Sequence, residues 1–421
     1  MKNEPFLLGA STAAYQVEGN NTKSDFWRIE QLPHTSFTEK SGDAVDHYNR
    51  YEEDIRMLKD AGLNAYRFSI EWARIEPEKG HYSEAETEHY RKMLACCKAN
   101  GITPVVTLHH FSSPCWLIEE GGWENESVVT YFADYCRYIA EQLGSEMEYV
   151  CTINEANMRL QMAAIIRMFA QSMGVNLQVG MNFELPEQYR IAQEEERHAF
   201  KDVPAVNTFL SACTPQGDIL IMKAHRAASK AMKEVCPHLK TGLTLSLHDI
   251  QAAEGGEAYA ASQWDEEFTH YLPYLQEDDF LGVQNYTRMI AGENKELPVP
   301  EGARTTQMGY EFYPQAMGHV IRRVASEFRK PLLITENGVA TADDAERVEF
   351  IETVLNDLKS AVKDGIPLLG YLHWSLFDNF EWQQGYKKTF GLIAVDRSTQ
   401  QRTPKPSLTA IAEIWNSEKG E

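Results

Sequence analysis

This chain lacks most of the features that mark a specialised class of protein. No apolar run is long enough to cross a bilayer, and Met1-Lys2-Asn3-Glu4-Pro5-Phe6-Leu7-Leu8 is too poor in apolar residues for a signal peptide. Cysteine is sparse: seven residues, an odd number, with no Cys-x-x-Cys pair. That excludes a disulfide scaffold and a zinc ribbon, and it suits a reducing compartment. Cys96 and Cys97 are adjacent, and Cys151 falls inside an expected strand. Thirteen histidines are scattered without a His-Glu-x-x-His spacing, so no metal is expected. No glycine-rich dinucleotide or phosphate loop occurs, so no nucleotide cofactor is expected either. Basic charge is in deficit, with 40 Lys and Arg against 62 Asp and Glu and a net charge of −22. This disfavours nucleic acid and anionic membrane as partners. The expectation is a cytoplasmic protein acting on a small molecule, with homo-oligomerisation left open.

What is present is a strand–helix alternation repeated along all 421 residues. Strands are expected at Phe6–Ser11, Ala65–Ile70, Thr103–Leu108, Glu148–Ile153, Thr241–Leu247, Phe280–Tyr286, Leu332–Thr335 and Pro367–Trp374. Helices are expected at Tyr48–Ala61, Ser83–Asn100, Ser127–Leu143, Asp218–Cys236, Pro314–Phe328 and Ala345–Asp364, with a last one near Pro406–Trp415. Gly62, Gly101 and Gly365 fit helix stops. One helix near Ala258–Leu275 and a Gly- and Pro-rich loop over Thr287–Tyr313 complete the reading. Eight alternations predict a single (β/α)8 TIM barrel domain over 1–421, with its site at the C-terminal ends of the strands. Ala156–Thr214 breaks the rhythm: a Met-rich apolar half is followed by an acidic half, Leu185–His198, and predicts a helix and then an irregular excursion over the barrel mouth. The Met cluster of Leu160–Met173 reads as core more readily than as a binding surface, and Glu194-Glu195-Glu196 as a solvated face.

Polar and aromatic residues gather where the strands end: Gln16, Arg67, His110, Asn154, Glu155, Tyr286, Glu336, Trp374, Glu381 and Trp382. Glu155 ends the fourth strand. Glu336 ends the seventh, within Pro331-Leu332-Leu333-Ile334-Thr335-Glu336-Asn337-Gly338. Two carboxylates about 5–5.5 Å apart are what a retaining glycosidase needs, one as nucleophile and one as proton donor. A plainer reading makes each a partner in a structural ion pair. Arg67 is a candidate partner for Glu336, and Tyr286 a candidate hydrogen-bond donor to it. Gln16, His110, Asn154 and Glu381 can pair with sugar hydroxyls, and Trp374 or Trp382 can stack on a pyranose face. His109 reads as a buried histidine behind the site.

Five segments, in this order, carry a resemblance: Tyr15-Gln16-Val17-Glu18-Gly19, Tyr66-Arg67-Phe68-Ser69-Ile70, Thr152-Ile153-Asn154-Glu155, Ile334-Thr335-Glu336-Asn337-Gly338, and the run from Trp374 to Trp382. They resemble the signatures of glycoside hydrolase family 1. The resemblance implies a retaining β-glycosidase, most simply an exo-acting β-glucosidase on a β-glycoside. It implies Glu155 as acid/base and Glu336 as nucleophile. It further implies Gln16, His110, Asn154, Glu381 and Trp382 as ligands of the first sugar, and Trp374 as its platform.

The chain departs from the family pattern at Ala156, where proline is usual, at Phe111, where tryptophan is usual, and at Gln284, where asparagine is usual. A 6-phospho-β-glycosidase would carry serine in place of Glu381 and tyrosine in place of Phe390. β-Galactosidase or β-fucosidase activity differs by one hydroxyl's orientation. A sugar-binding barrel without activity would usually have lost one of the two carboxylates.

Overall fold

The computed structural model describes residues 5–172 and 187–417. Eight parallel strands form a ring: β1 (Leu7–Ser11), β2 (Ala65–Ser69), β3 (Thr103–His109), β4 (Tyr149–Ile153), β5 (Lys240–Gly242, resumed at Thr244–Ser246), β6 (Leu281–Gln284), β7 (Leu332–Glu336) and β8 (Leu368–Trp374). β8 pairs with β1, Leu7 opposite Gly370. The ring closes within β5, whose first half pairs with β4 and whose second half pairs with β6. Leu243 is the break, where one strand changes neighbours. Backbones lie close here: a Cβ at Gly9 would fall 1.9 Å from the Ala65 carbonyl oxygen, and one at Gly370 2.3 Å from that of Leu7.

Alternation sorts the side chains. Leu7, Ala65, Val105, Tyr149, Cys151, Leu333 and Leu372 pack together as one buried apolar layer. Two residues further along the same faces stand Arg67 and Thr107, joined by an Arg67 Nε hydrogen bond of 3.0 Å to Thr107 Oγ1. The interior therefore turns from apolar to polar toward the C-terminal ends. Outside, the main core fills the space between strands and helices.

The longer helices are α1 (His47–Asp60), α2 (Glu84–Ala99), α3 (Val128–Leu143), α4 (Met158–Ser172), α5 (Glu187–Ala199), α6 (Pro215–Val235), α7 (Glu257–Glu267), α8 (Ala316–Phe328), α9 (Asp344–Lys363) and α10 (Pro406–Asn416). Their starts follow capping chemistry: Ser83 accepts from Glu86 N, Thr214 from Gly217 N and Asp343 from Ala345 N. None of the described helices is long and apolar enough to cross a membrane.

Three expectations need correction. The acidic stretch within Leu185–His198 forms α5 from Glu187 onward rather than an irregular excursion. Its helix formers outweigh the absence of a wide apolar stripe, and Phe200 anchors its end in the core. Thr287–Tyr313 is not all loop. Arg288–Ala291 pairs with Asp249–Ala252 and with Glu296–Leu297 in a three-stranded sheet. The helix placed at Ala258–Leu275 stops at Glu267, and a 3-10 turn containing Pro273 follows over Thr269–Tyr274. In the Met-rich stretch, Ile165 and Ile166 are half exposed; residues 173–186 lie outside the described chain.

Candidate active site

Glu336 is the last residue of β7, buried to 3% exposure. Its Oε1 accepts from Arg67 Nη1 at 2.6 Å and its Oε2 from the Tyr286 hydroxyl at 2.6 Å. Arg67 stands mid-strand in β2, not past its end, and reaches the mouth from the barrel interior. It is fully buried, and its Nη2 donates to Asn154 Oδ1 at 2.6 Å. Asn154 follows β4. Its Oδ1 also accepts from Gln284 Nε2 at 2.7 Å and Thr244 Oγ1 at 3.1 Å. Three donors on one oxygen fix the amide's orientation, so Asn154 Nδ2 turns to His110 Nε2 at 3.1 Å.

His110 Nε2 also lies 3.9 Å from Glu336 Oε1. This is no ion pair: burial, with the Arg67 charge behind it, holds the imidazole well below its ordinary pKa and keeps it neutral. His109, next to it, is buried with Nε2 3.0 Å from Ser113 Oγ.

Glu155 comes next after Asn154 and has φ of +43°, a conformation few non-glycine residues adopt. The turn is held from β5. Glu155 N donates to Thr244 Oγ1 at 2.8 Å, and Ala156 N to the Thr244 carbonyl at 2.9 Å. Asn157, at the position after the missing proline, is fully buried. Its Nδ2 donates to the carbonyls of Ser246 at 2.7 Å and Glu267 at 3.0 Å. Its Oδ1 accepts from Ser246 N at 3.0 Å.

The two carboxylates share a field but not an environment. Burial, reinforced by the charge of Glu336, raises Glu155 well above the carboxylate range. Burial raises Glu336 as well, but Arg67, Tyr286 and Gln284 all oppose it. Glu155 is therefore the more readily protonated of the two.

Gln16 lies on the helical turn Ala14–Val17, fully buried. Its Nε2 donates to the Phe380 carbonyl at 2.6 Å and reaches Glu381 Oε2 at 3.3 Å. Burial, with the charge of Glu336, pushes Glu381 up to about 8. Trp374 ends β8 and stacks near His110, ring centroids 5.7 Å apart. Trp382 stacks on Tyr15 at 5.7 Å and touches Phe111 at 5.3 Å. Three buried polar atoms of this wall, Gln16 Oε1, His110 Nδ1 and Gln284 Oε1, have no partner among the described residues. Such atoms suit hydroxyl groups of a ligand.

All ten expected residues thus gather at one mouth. Thr107, Thr244 and Ser246 join them without having been foreseen. Their signal is a polar residue at an inward position of an otherwise apolar strand.

A barrel whose strand ends present two buried carboxylates, one beside arginine and one not, is the arrangement of a glycoside hydrolase. The sequence pattern of glycosyl hydrolase family 1 matches residues 2–270 and 268–420, and the chain belongs to that family. It is a retaining β-glycosidase. It is similar to beta-glucosidase A of Thermotoga maritima, 30% identical over 96% of this chain and 95% of that protein. It is also similar to a 6-phospho-beta-galactosidase of Clostridium acetobutylicum, 27% identical over 96% and 94%. Among solved structures, beta-glycosidase BGL167 superposes with a TM-score of 0.88 at 42% identity, covering 99% of this chain and 97% of that one.

Proposed function

We propose that the protein is an exo-acting β-glucosidase that removes terminal non-reducing β-D-glucosyl residues. The observation that carries the roles is the unequal treatment of two neighbouring carboxylates. Glu336, held ionised by Arg67 and Tyr286, attacks the anomeric carbon. Glu155, held protonated by burial and by Glu336, gives its proton to the departing oxygen. A covalent glycosyl-enzyme forms. Glu336 is then neutral as an ester, so its field on Glu155 disappears. Glu155, now ionised, takes a proton from water, which displaces Glu336 with the β configuration retained. Gln16, His110, Asn154, Glu381 and Trp382 hold the first sugar, and Trp374 is its platform.

Glucose rather than a 6-phosphosugar is favoured by Glu381, a half-buried acidic group bonded to Gln16 where a phosphate would need positive charge. Residues 1–421 act as one catalytic domain, and the seven cysteines, all free, support a cytoplasmic location.

A panel of p-nitrophenyl β-glucoside, β-galactoside, β-fucoside and 6-phospho-β-glucoside tests the reading. The β-glucoside is expected to turn over, and Glu336→Ala to lose at least ~10⁴-fold of that activity. Full activity in Glu336→Ala would remove the nucleophile assignment. A panel won by the 6-phosphosugar would remove the specificity.

A further inference from the structure

We propose that His248 is a specificity-determining residue on the leaving-group side, donating a hydrogen bond from Nε2 to a hydroxyl oxygen of a sugar aglycone. This rests on the β-glucosidase reading above.

Along β5 the side chains alternate between two faces. Leu245 and Leu247 are buried in the outer core, so Thr244, Ser246 and His248 face the other way. Pairing continues past the strand end, with Leu247 N bonded to the Gln284 carbonyl at 2.9 Å. These three residues climb outward past the acid/base. Thr244 holds the Glu155 backbone. Ser246 faces the Glu155 carboxyl and lowers its pKa against the larger rise from burial. His248 is one step further toward solvent. The glycosidic oxygen receives its proton from Glu155, so what lies beyond that carboxyl faces the departing group.

The His248 ring is held from one side only. Nδ1 lies 2.7 Å from Glu267 Oε1, and His248 N donates to Glu267 Oε2 at 2.8 Å. Glu267 is the last residue of α7, nearly fully buried, and its carbonyl is bound by Asn157. The clamp and the acid/base turn are therefore one network. The His248 side chain is 34% exposed, and no described residue bonds its Nε2.

Burial lowers the pKa of this ring, but the charge and hydrogen bond of Glu267 outweigh it, with Glu296 and then Glu155 adding, and His248 is raised to about 9. Below that pH both nitrogens carry hydrogen. On deprotonation the Glu267 carboxylate keeps the Nδ1 hydrogen, so Nε2 is the nitrogen that loses its proton. The outward, charge-assisted donor becomes a neutral acceptor, which a hydroxyl meets more weakly, and it does so at one titration.

The experiment compares kcat/KM for cellobiose and methyl β-D-glucoside. Both need the proton from Glu155, because both leave as alkoxides; only the leaving group of cellobiose carries hydroxyls for His248 to bond. The cellobiose-to-methyl ratio is expected to stay level to about pH 8 and then fall as pH passes about 9. In His248→Phe it is expected to be lower by ~10- to 100-fold and independent of pH. A wild-type ratio that stays flat through pH 10 would overturn the inference, even if the variant failed to fold. Equal losses on both substrates in a folded His248→Phe would also overturn it. If the wild type turned over neither glucoside, the β-glucosidase reading and this inference would fall together.

Discussion

The ends of β7 and β4 put the same functional group into two different surroundings. At β7, Glu336 has a guanidinium on one oxygen and a phenol on the other, each at 2.6 Å. At β4, Glu155 has no cation in contact among the described residues, and the charge of Arg67 and the Ser246 side chain only partly oppose the rise that burial and Glu336 give its pKa. Its support is on the backbone, from Thr244, and on the following residues, through Asn157. One carboxylate is fixed by its side chain and kept charged. The other is fixed by its main chain and, in the proposed mechanism, takes and gives a proton. Division of labour between identical groups comes from what surrounds them, not from their own chemistry.

Breaking the β4 side is expected to have the larger effect. Glu155→Gln removes the proposed proton donor while keeping the volume. kcat/KM for cellobiose is expected to fall ~10²- to 10⁴-fold. A 2,4-dinitrophenyl glucoside, whose leaving group departs unprotonated, should keep a near-normal first step and show a burst. Equal losses on both substrates would mean that Glu155 is not the acid.

Weakening the β7 side is gentler. Tyr286→Phe deletes one of the contacts that favour the Glu336 anion. A loss of ~10- to 100-fold in kcat/KM is expected. The sign of the pH effect is fixed: Tyr286 lowers the Glu336 pKa, so its removal raises it, and the acidic limb of the kcat/KM profile moves to higher pH. An acidic limb that stays in place would show that the phenol only packs.

This asymmetry was half legible in the sequence. Glu155, Glu336 and Arg67 could be read because strand ends converge in a barrel, whatever their distance along the chain. Thr244 and Gln284 could not be assigned their places. Their side chains matter only because β5 changes neighbours at Leu243, which no periodicity announces. α5 was missed for the opposite reason, since a charged surface helix looks like solvated loop when read by hydrophobicity. His34 meets Glu195 of α5 at 2.7 Å across 161 positions, a contact that only the fold creates.

A third buried carboxylate has neither a cation beside it nor a proposed part in the reaction. Asp25 is fully buried. Its Oδ1 accepts from Phe26 N at 2.8 Å and Ser113 N at 3.0 Å, and its Oδ2 has no partner among the described residues. Burial raises it to about 8, the two N–H groups opposing and the charge of Glu71 adding to the rise. The folded state therefore holds this proton more tightly than the unfolded chain does. Its contribution to stability is complete below the ordinary aspartate range and is lost progressively as pH rises toward 8. Asp25→Asn keeps the acceptor oxygen and removes the titration. Relative to wild type, the variant's Tm should gain on going from pH 5 to pH 8, by roughly 1–3 °C, read by calorimetry. If the gap between the two proteins is the same at both pH values, Asp25 carries a charge that its surroundings support. Burial without a cation would then not be enough to hold a carboxyl protonated here, and the account given for Glu155 would have to rest on the field of Glu336 alone.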